Sequence, residues 1–130
     1  MQTKIEFSQV LEDIYAVAAL STLMPESEAA FFHPDHAQAL TRLIRQAMAW
    51  VLVTAPQEAI TLKSLADDGI VVEISDDTDE AEALELLSAV LSRAAINIVR
   101  TDAGRQPLPI PSLAVLAPNA IPSTITPHWL

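Results

Sequence analysis

Apolar positions recur at intervals of three and four residues in three stretches of the chain, which predicts three amphipathic helices. The first helix is expected from Ser8 to about Met24 and the second from His36 to Thr54. The third follows the acidic run Asp76–Glu80 and extends to about Thr101. Between the apolar positions lie charged and amide side chains, so each helix has one face suited to a core and one suited to solvent.

Residues at the predicted helix ends are typical of helix caps. Ser8 offers a hydroxyl group to the first helix, and Asp35 offers a carboxylate to the second. Asp77 and Glu80 have the spacing of a capping box at the start of the third helix. Gly104 is suited to end that helix, because glycine accepts the left-handed conformation that a helix C-terminus often requires.

The pattern changes between the second and third helices, where two short apolar runs flank Asp67-Asp68-Gly69. Asp-Gly between apolar runs predicts a β-hairpin, with strands Ile60–Leu65 and Ile70–Ile74. Lys4–Phe7 is a further short stretch that is compatible with an extended backbone. A two-stranded hairpin is marginal in water, so we expect it to pack on the helices or to extend the sheet of another subunit.

The last quarter of the chain, Arg105–Leu130, contains six of the nine prolines and no charged side chain after Arg105. Proline fixes φ and removes a backbone donor, so this stretch is expected to be an extended arm. It is too apolar for a solvated tail, and an extended apolar arm needs a surface to lie on. That surface is either a partner or, as a strap, the chain's own helices. The apolar side chains of the arm are Leu108, Ile110, Leu113, Val115, Leu116, Ile121, Ile125, Trp129 and Leu130.

These elements together predict a mostly α fold of the α+β class. Residues 1–104 form a body of three helices with a hairpin near residues 60–75, and residues 105–130 form an extended, proline-rich C-terminal arm. At 130 residues the chain is one domain with a single modest core. Hydrophobic residues make up 51% of it and charged residues 18%, which favours an oligomer because so much apolar area is hard to bury within one small chain.

The charge of the chain bears on its partners. The net charge is −10, and nine of the seventeen acidic residues lie between Asp67 and Glu85. Binding to DNA or to an anionic membrane requires clustered Lys and Arg, so neither partner is expected. The N-terminus lacks the pattern of a signal peptide. The longest uncharged helical run, Gln46–Gln57, is about half the length of a membrane span, so we expect a protein of the cytoplasm or of an assembly formed there.

Candidate chemistry is sparse. His33 and His36 stand near Glu28 and Asp35, but a structural zinc site needs four ligands and the chain has no cysteine. The acidic run Asp76–Glu80 lacks the glycine and the distant glutamate of a calcium-binding EF-hand loop. With only two glycines and no nucleophile motif, the sequence predicts no catalytic residue, cofactor or metal, and hence no enzyme. Trp50 and Phe31 are expected in the core.

Four segments carry a resemblance to a known group of proteins. The pattern I-x-F-x-x-V-x-x-x-I spans Ile5–Ile14, and L-x-x-L-I-x-x-A-x-x-W spans Leu40–Trp50. An alternating strand at Ile70–Ile74 follows, and then an acidic helix cap and a final helix. Over residues 5–101 this layout resembles small structural proteins encoded among the head and tail genes of tailed phages and prophages, of the head–tail connector or neck type. The resemblance implies ring assembly in the virion through strand addition and swapped arms, without an active site.

Three functional hypotheses follow. The first is a non-enzymatic subunit of a multi-copy assembly, a phage neck, connector or tail protein, whose arm and hairpin join it to its own copies and to neighbouring assembly proteins. Its interface then includes the apolar arm residues together with Ile70, Val72 and Ile74. The alternative is a small acidic cytosolic dimer that regulates or chaperones a basic partner through the acidic residues 76–80. The third is a minor enzyme or metal protein that uses His33 and His36.

Overall fold

Helices dominate the fold, and one small sheet completes it. The computed structural model describes residues 1–20, 24–54 and 59–116. Within them lie four α-helices and a three-stranded antiparallel sheet, which confirms the mostly helical α+β class. The strands are β1 (Gln2–Glu6), β2 (Ile60–Ala66) and β3 (Gly69–Ile74). The helices are α1 (Phe7–Ala18), α2 (Glu26–Ala29), α3 (Ala37–Thr54) and α4 (Glu80–Asp102), with single 3-10 turns at Pro34–His36 and Leu113–Leu116.

The sheet contains the predicted hairpin and one more strand. Strands β2 and β3 pair on either side of a turn at residues 67–68, and β1 pairs with the other edge of β3, giving the order β1-β3-β2. Gly69 permits this third strand, because a Cβ atom at that position would stand 2.3 Å from the carbonyl oxygen of Ile5. The hairpin glycine therefore serves the close approach of β1, and it does not adopt a positive φ.

One face of the sheet packs on the helices. The side chains of Ile5, Ile70, Val72 and Ile74 point to this face and join the core, while Lys4 and its neighbours on the alternate positions face outwards. The helices supply the rest of the core at the spacing that the sequence predicts. Phe7 and Met48 are buried, and the large helical side chains that are buried completely are Val10, Ile14, Leu40, Ile44, Val51, Leu87, Leu91 and Ile96.

Three helix starts differ from the predicted caps. Helix α1 begins directly after β1, and the backbone N–H of Phe7 donates to the carbonyl of Asp68 at 2.8 Å, so Ser8 is not the cap. The start of the 3-10 turn before α3 is capped by His33, whose Nδ1 accepts from the N–H of Asp35. At α4 the cap is Asp79 instead of Asp77, and its carboxylate accepts from the N–H of Glu82. In each case a partner from the tertiary structure or a neighbouring cap residue accepts from one of the N–H groups that a helix start leaves free.

The end of α4 matches the prediction. Gly104 has a φ of 75°, in the left-handed region. The N–H of Gly104 donates to the carbonyl of Thr101, and the N–H of Arg105 donates to the carbonyl of Arg100. These two bonds form a Schellman motif, which reverses the chain at the helix C-terminus. The arm therefore turns back along α4.

Candidate interaction surfaces

The first part of the arm is attached to α4 by polar side chains. Asn97 donates from Nδ2 to the carbonyl of Leu108 at 2.9 Å and accepts from the N–H of Leu108 at 2.7 Å. Arg100 donates from Nε to the carbonyl of Gln106 at 2.7 Å, and Arg93 donates to the carbonyl of Pro109 at 3.0 Å. Within the described part of the chain, residues 105–112 belong to no strand, and side chains of α4 bind their backbone groups instead.

A buried carboxylate strengthens the same attachment. Glu28 of α2 lies 2.6 Å from Nη1 of Arg100, and both side chains are largely buried. Its second oxygen lies 3.3 Å from Nε of Arg105 but without the geometry of a hydrogen bond. Because removing one partner of a buried ion pair leaves an uncompensated charge, this cluster ties α2, α4 and the start of the arm together.

The apolar arm residues fall into two groups. Leu108, Leu113 and Leu116 are buried in the chain's own core, and Ile110 packs partly against it. For residues 105–116 the arm is thus a strap across its own helices, so these side chains are not a free interface. The remaining predicted interface residues lie outside the described side chains: Val115, Ile121, Ile125, Trp129 and Leu130.

The hairpin residues expected at an interface are also internal. Ile70, Val72 and Ile74 are 0%, 0% and 1% exposed. Strand β3 is the central strand, with β1 on one side and β2 on the other, so its backbone has no open edge among the described residues. The burial of these residues corrects the expectation that they meet a partner, and it assigns the outer edges of the sheet to β1 and β2.

A tryptophan that was expected in the core lies on the surface. Trp50 of α3 is 58% exposed and stands beside an open groove of about 330 Å³. Gln46 and Ala47 line the groove from α3, Ala94 and Ile98 from α4, and Ile110 from the arm. We call this feature the Trp50 groove. Its lining is mainly apolar, and one large aromatic ring is presented at its side.

Strand β2 carries a second exposed apolar group. Leu62 and Leu65 pair with Val72 and Ile70 on the helix side of the sheet, yet they are 41% and 57% exposed. The ladder is irregular between Leu62 and Ser64, where Lys63 projects into solvent. A bulge and a lysine are devices that limit pairing between sheet edges. The side chains of Leu62 and Leu65 are therefore better placed for contact than the backbone of β2.

The other candidate residues have structural partners or face solvent. His33 caps the 3-10 turn, and the ring of His36 stacks on Phe31 with the ring centroids 5.3 Å apart. In the described part of the chain, no three or more acidic or histidine side chains are grouped so as to hold a metal ion. Asp76, Asp77, Glu82 and Glu85 are exposed around the start of α4.

None of the helices in residues 1–20, 24–54 and 59–116 has both the length and the apolar character needed to cross a membrane. Comparison with protein-family models, with curated proteins and with solved structures found no match to this chain.

Sequence reasoning missed Trp50, Leu62 and Leu65 as surface residues. Trp50 lies next to Val51 near the end of α3, where apolar residues occur on nearly every side of the helix. Such a segment does not indicate which of its sides packs in the core. For Leu62 and Leu65 a signal existed. The run T-L-K-S-L lacks a strict alternation, which is typical of an irregular edge strand.

Proposed function

We propose that this chain is a non-enzymatic structural subunit of a multi-copy assembly and that the Trp50 groove is its principal contact surface. The observation that carries the proposal is the exposure of Trp50, at 58%, beside an open apolar groove. Exposed apolar patches on small domains mark interaction sites, and tryptophan is enriched among the residues that dominate interface energies. Leu62 and Leu65 add apolar area to the surface.

The resemblance over residues 5–101 supports a more specific assignment, to the neck or head–tail connector of a tailed phage. Such a subunit acts by shape and contact, and the exposed apolar side chains of Trp50, Leu62 and Leu65 support that role. We place the protein in the virion after assembly in the host cytoplasm. Its partners are further copies of itself and the neighbouring assembly proteins.

The acidic stretch at the start of α4 supports a second candidate, a regulator or chaperone of a basic partner. Asp76 and Asp77 are exposed there, and the side chain of Asp76 is 96% accessible. A charge-reversal variant distinguishes the two candidate functions. Asp76→Lys with Asp77→Lys leaves the mass in solution unchanged if the chain assembles through the Trp50 groove, whereas it abolishes binding if the acidic face holds a basic protein.

The substitution Trp50→Ser tests the proposed surface. Because Trp50 is exposed, its loss is expected to leave the thermal unfolding midpoint near that of the unchanged chain, while the assembled species dissociates towards the 14.0 kDa monomer. Sedimentation velocity measures both populations. Gln38→Ser, on the exposed face of the same helix, is the matched control and should retain the assembled mass. Equal masses for the unchanged chain and the Trp50→Ser variant would contradict the proposal.

A further inference from the structure

We propose that residues 117–130 of one copy dock in the Trp50 groove of a neighbouring copy. This inference rests on the proposed function, since it requires an assembly, and it names the partner of the same surface. The starting point is the path of the arm. Arg100 donates to the carbonyl of Gln106, Asn97 to that of Leu108 and Arg93 to that of Pro109. Because the contacts run in opposite order along the two segments, residues 106–109 lie antiparallel to α4.

The described part of the arm passes the groove of its own chain at Ile110 and continues beyond it. The groove lies at the C-terminal half of α4, beside Ala94 and Ile98. From Pro109 the arm heads towards the N-terminal half of α4, and the turn Leu113–Leu116 packs against the same helix. Leu116 is buried, and it is the last residue of the arm that the structure describes. The described arm thus ends six residues beyond Ile110, the arm residue that lines the groove.

The composition of residues 117–130 suits the groove. The segment has no Asp, Glu, Lys or Arg, and it contains Pro118, Pro122 and Pro127 together with Ile121, Ile125, Trp129 and Leu130. Proline-rich segments dock in aromatic-lined grooves because their extended conformation is formed in advance and loses little entropy on binding. The groove offers the ring of Trp50 and the apolar side chains of Ala47 and Ile98, and its volume of about 330 Å³ accommodates a few side chains of such a segment.

The reach of the segment is sufficient for contact between copies. Fourteen residues extend about 43 Å at the rise of polyproline II. A domain of this length has a radius of gyration of about 14 Å, so the segment spans the body of a neighbour. Tail and groove are different surfaces of the same chain, which makes the contact heterologous. Heterologous contacts generate closed rings when the rotation between copies closes.

Disulfide trapping in the full chain tests the inference. The chain has no cysteine, so Gln46→Cys at the exposed rim of the groove and Ser123→Cys in the tail introduce the only two thiols. After mild oxidation and non-reducing electrophoresis, we expect covalent multimers joined through positions 46 and 123. Ser64→Cys with Ser123→Cys is the matched control, because Ser64 is exposed on β2 and lies outside the groove lining, and it should remain at the monomer position.

The outcomes separate this inference from the proposed function when the light-scattering mass of the same proteins is measured. Multimers linked through positions 46 and 123 support the inference. An internally linked monomer would overturn it in favour of a tail folded back on its own groove. An assembled protein with no 46–123 link would overturn the inference while leaving the proposed function intact. A protein that is monomeric and unlinked would overturn both.

Discussion

Asn97 is the residue on which the attachment of the arm depends most directly. Both hydrogen-bonding groups of its amide meet the backbone of Leu108, and the pair is buried. The sequence offers only an indirect signal for this contact. Pro107 and Pro109 remove the donors on either side of Leu108, so the N–H of Leu108 is one of few in the arm that need a partner. A polar side chain on a helix does not by itself reveal that it faces such a group.

Replacing Asn97 with Ala is expected to lower the free energy of unfolding by about 2–4 kcal/mol, because it leaves a buried N–H and a buried carbonyl of Leu108 without partners. Urea denaturation measures the change. Gln106→Ala is the control, since its exposed side chain is lost while the backbone carbonyl that Arg100 binds is kept, and the change should stay within about 0.5 kcal/mol. If the Asn97→Ala variant is as stable as the control, the hydrogen bonds between Asn97 and Leu108 contribute nothing to the free energy of unfolding.

A second residue-scale contact links β1 to the hairpin turn. Nζ of Lys4 lies 2.9 Å from the carboxylate of Asp68. The hydrogen bond from Lys4 lowers the pKa of Asp68 below its usual value of 3.8, and the same bond raises the pKa of Lys4 above 10.5. The carboxylate stabilises the fold above its unfolded pKa, and this contribution is lost as the pH falls through the lower folded pKa. The Lys4 contribution is present below its unfolded pKa and is lost as the pH rises through the raised folded pKa.

An NMR titration of the Asp68 carboxyl carbon tests this contact. In Lys4→Met the pKa of Asp68 should rise towards its usual value, because the hydrogen bond and the nearby positive charge are gone. Lys63→Met, which removes the exposed lysine of β2, should leave the pKa of Asp68 unchanged. If both variants titrate alike, the hydrogen bond between Lys4 and Asp68 does not persist in solution.

At the scale of elements, the long helices and the hairpin are predictable from sequence because each has its own periodic pattern and turn chemistry. The third strand is harder to predict from the sequence. β1 is five residues long, and its place beside β3 depends on Gly69 meeting Ile5 across more than sixty positions of sequence. Helix α4 illustrates the same limit. Ser88 and Ser92 are buried although they interrupt the apolar pattern, because α3, α1 and the arm together cover α4 on several sides.

The strap formed by residues 105–116 is expected to be part of the folding unit. A chain that ends at Gln106 loses Leu108, Leu113 and Leu116 from the core, at about 1.5–3 kcal/mol each, which is comparable to the whole stability of a small domain. We therefore expect this chain to lose much of its helical circular dichroism at 25 °C. A chain that ends at Leu116 keeps these residues and should unfold close to the full-length protein. Equal stability of the two truncated chains would contradict the role of the strap.

At the scale of the whole molecule, the surface combines a net charge of −10 with a few concentrated apolar features. Total composition predicts that such features exist, since an apolar content of 51% is more than a small body hides. Their location had to come from the structure. The arm residues that looked most available are in part internal, and Trp50, which looked internal, is exposed. Which neighbouring residues cover a side chain is a property of the packed molecule.

The mass in solution tests the central claim, that the chain is a subunit of a multi-copy assembly, most directly. Light scattering should be measured on the full-length protein and on the chain that ends at Leu116, which keeps the described core. We expect a multiple of 14.0 kDa for the full-length protein and a smaller mass for the truncated chain. A full-length protein that remains at 14.0 kDa at the highest concentration at which it stays in solution would contradict the claim.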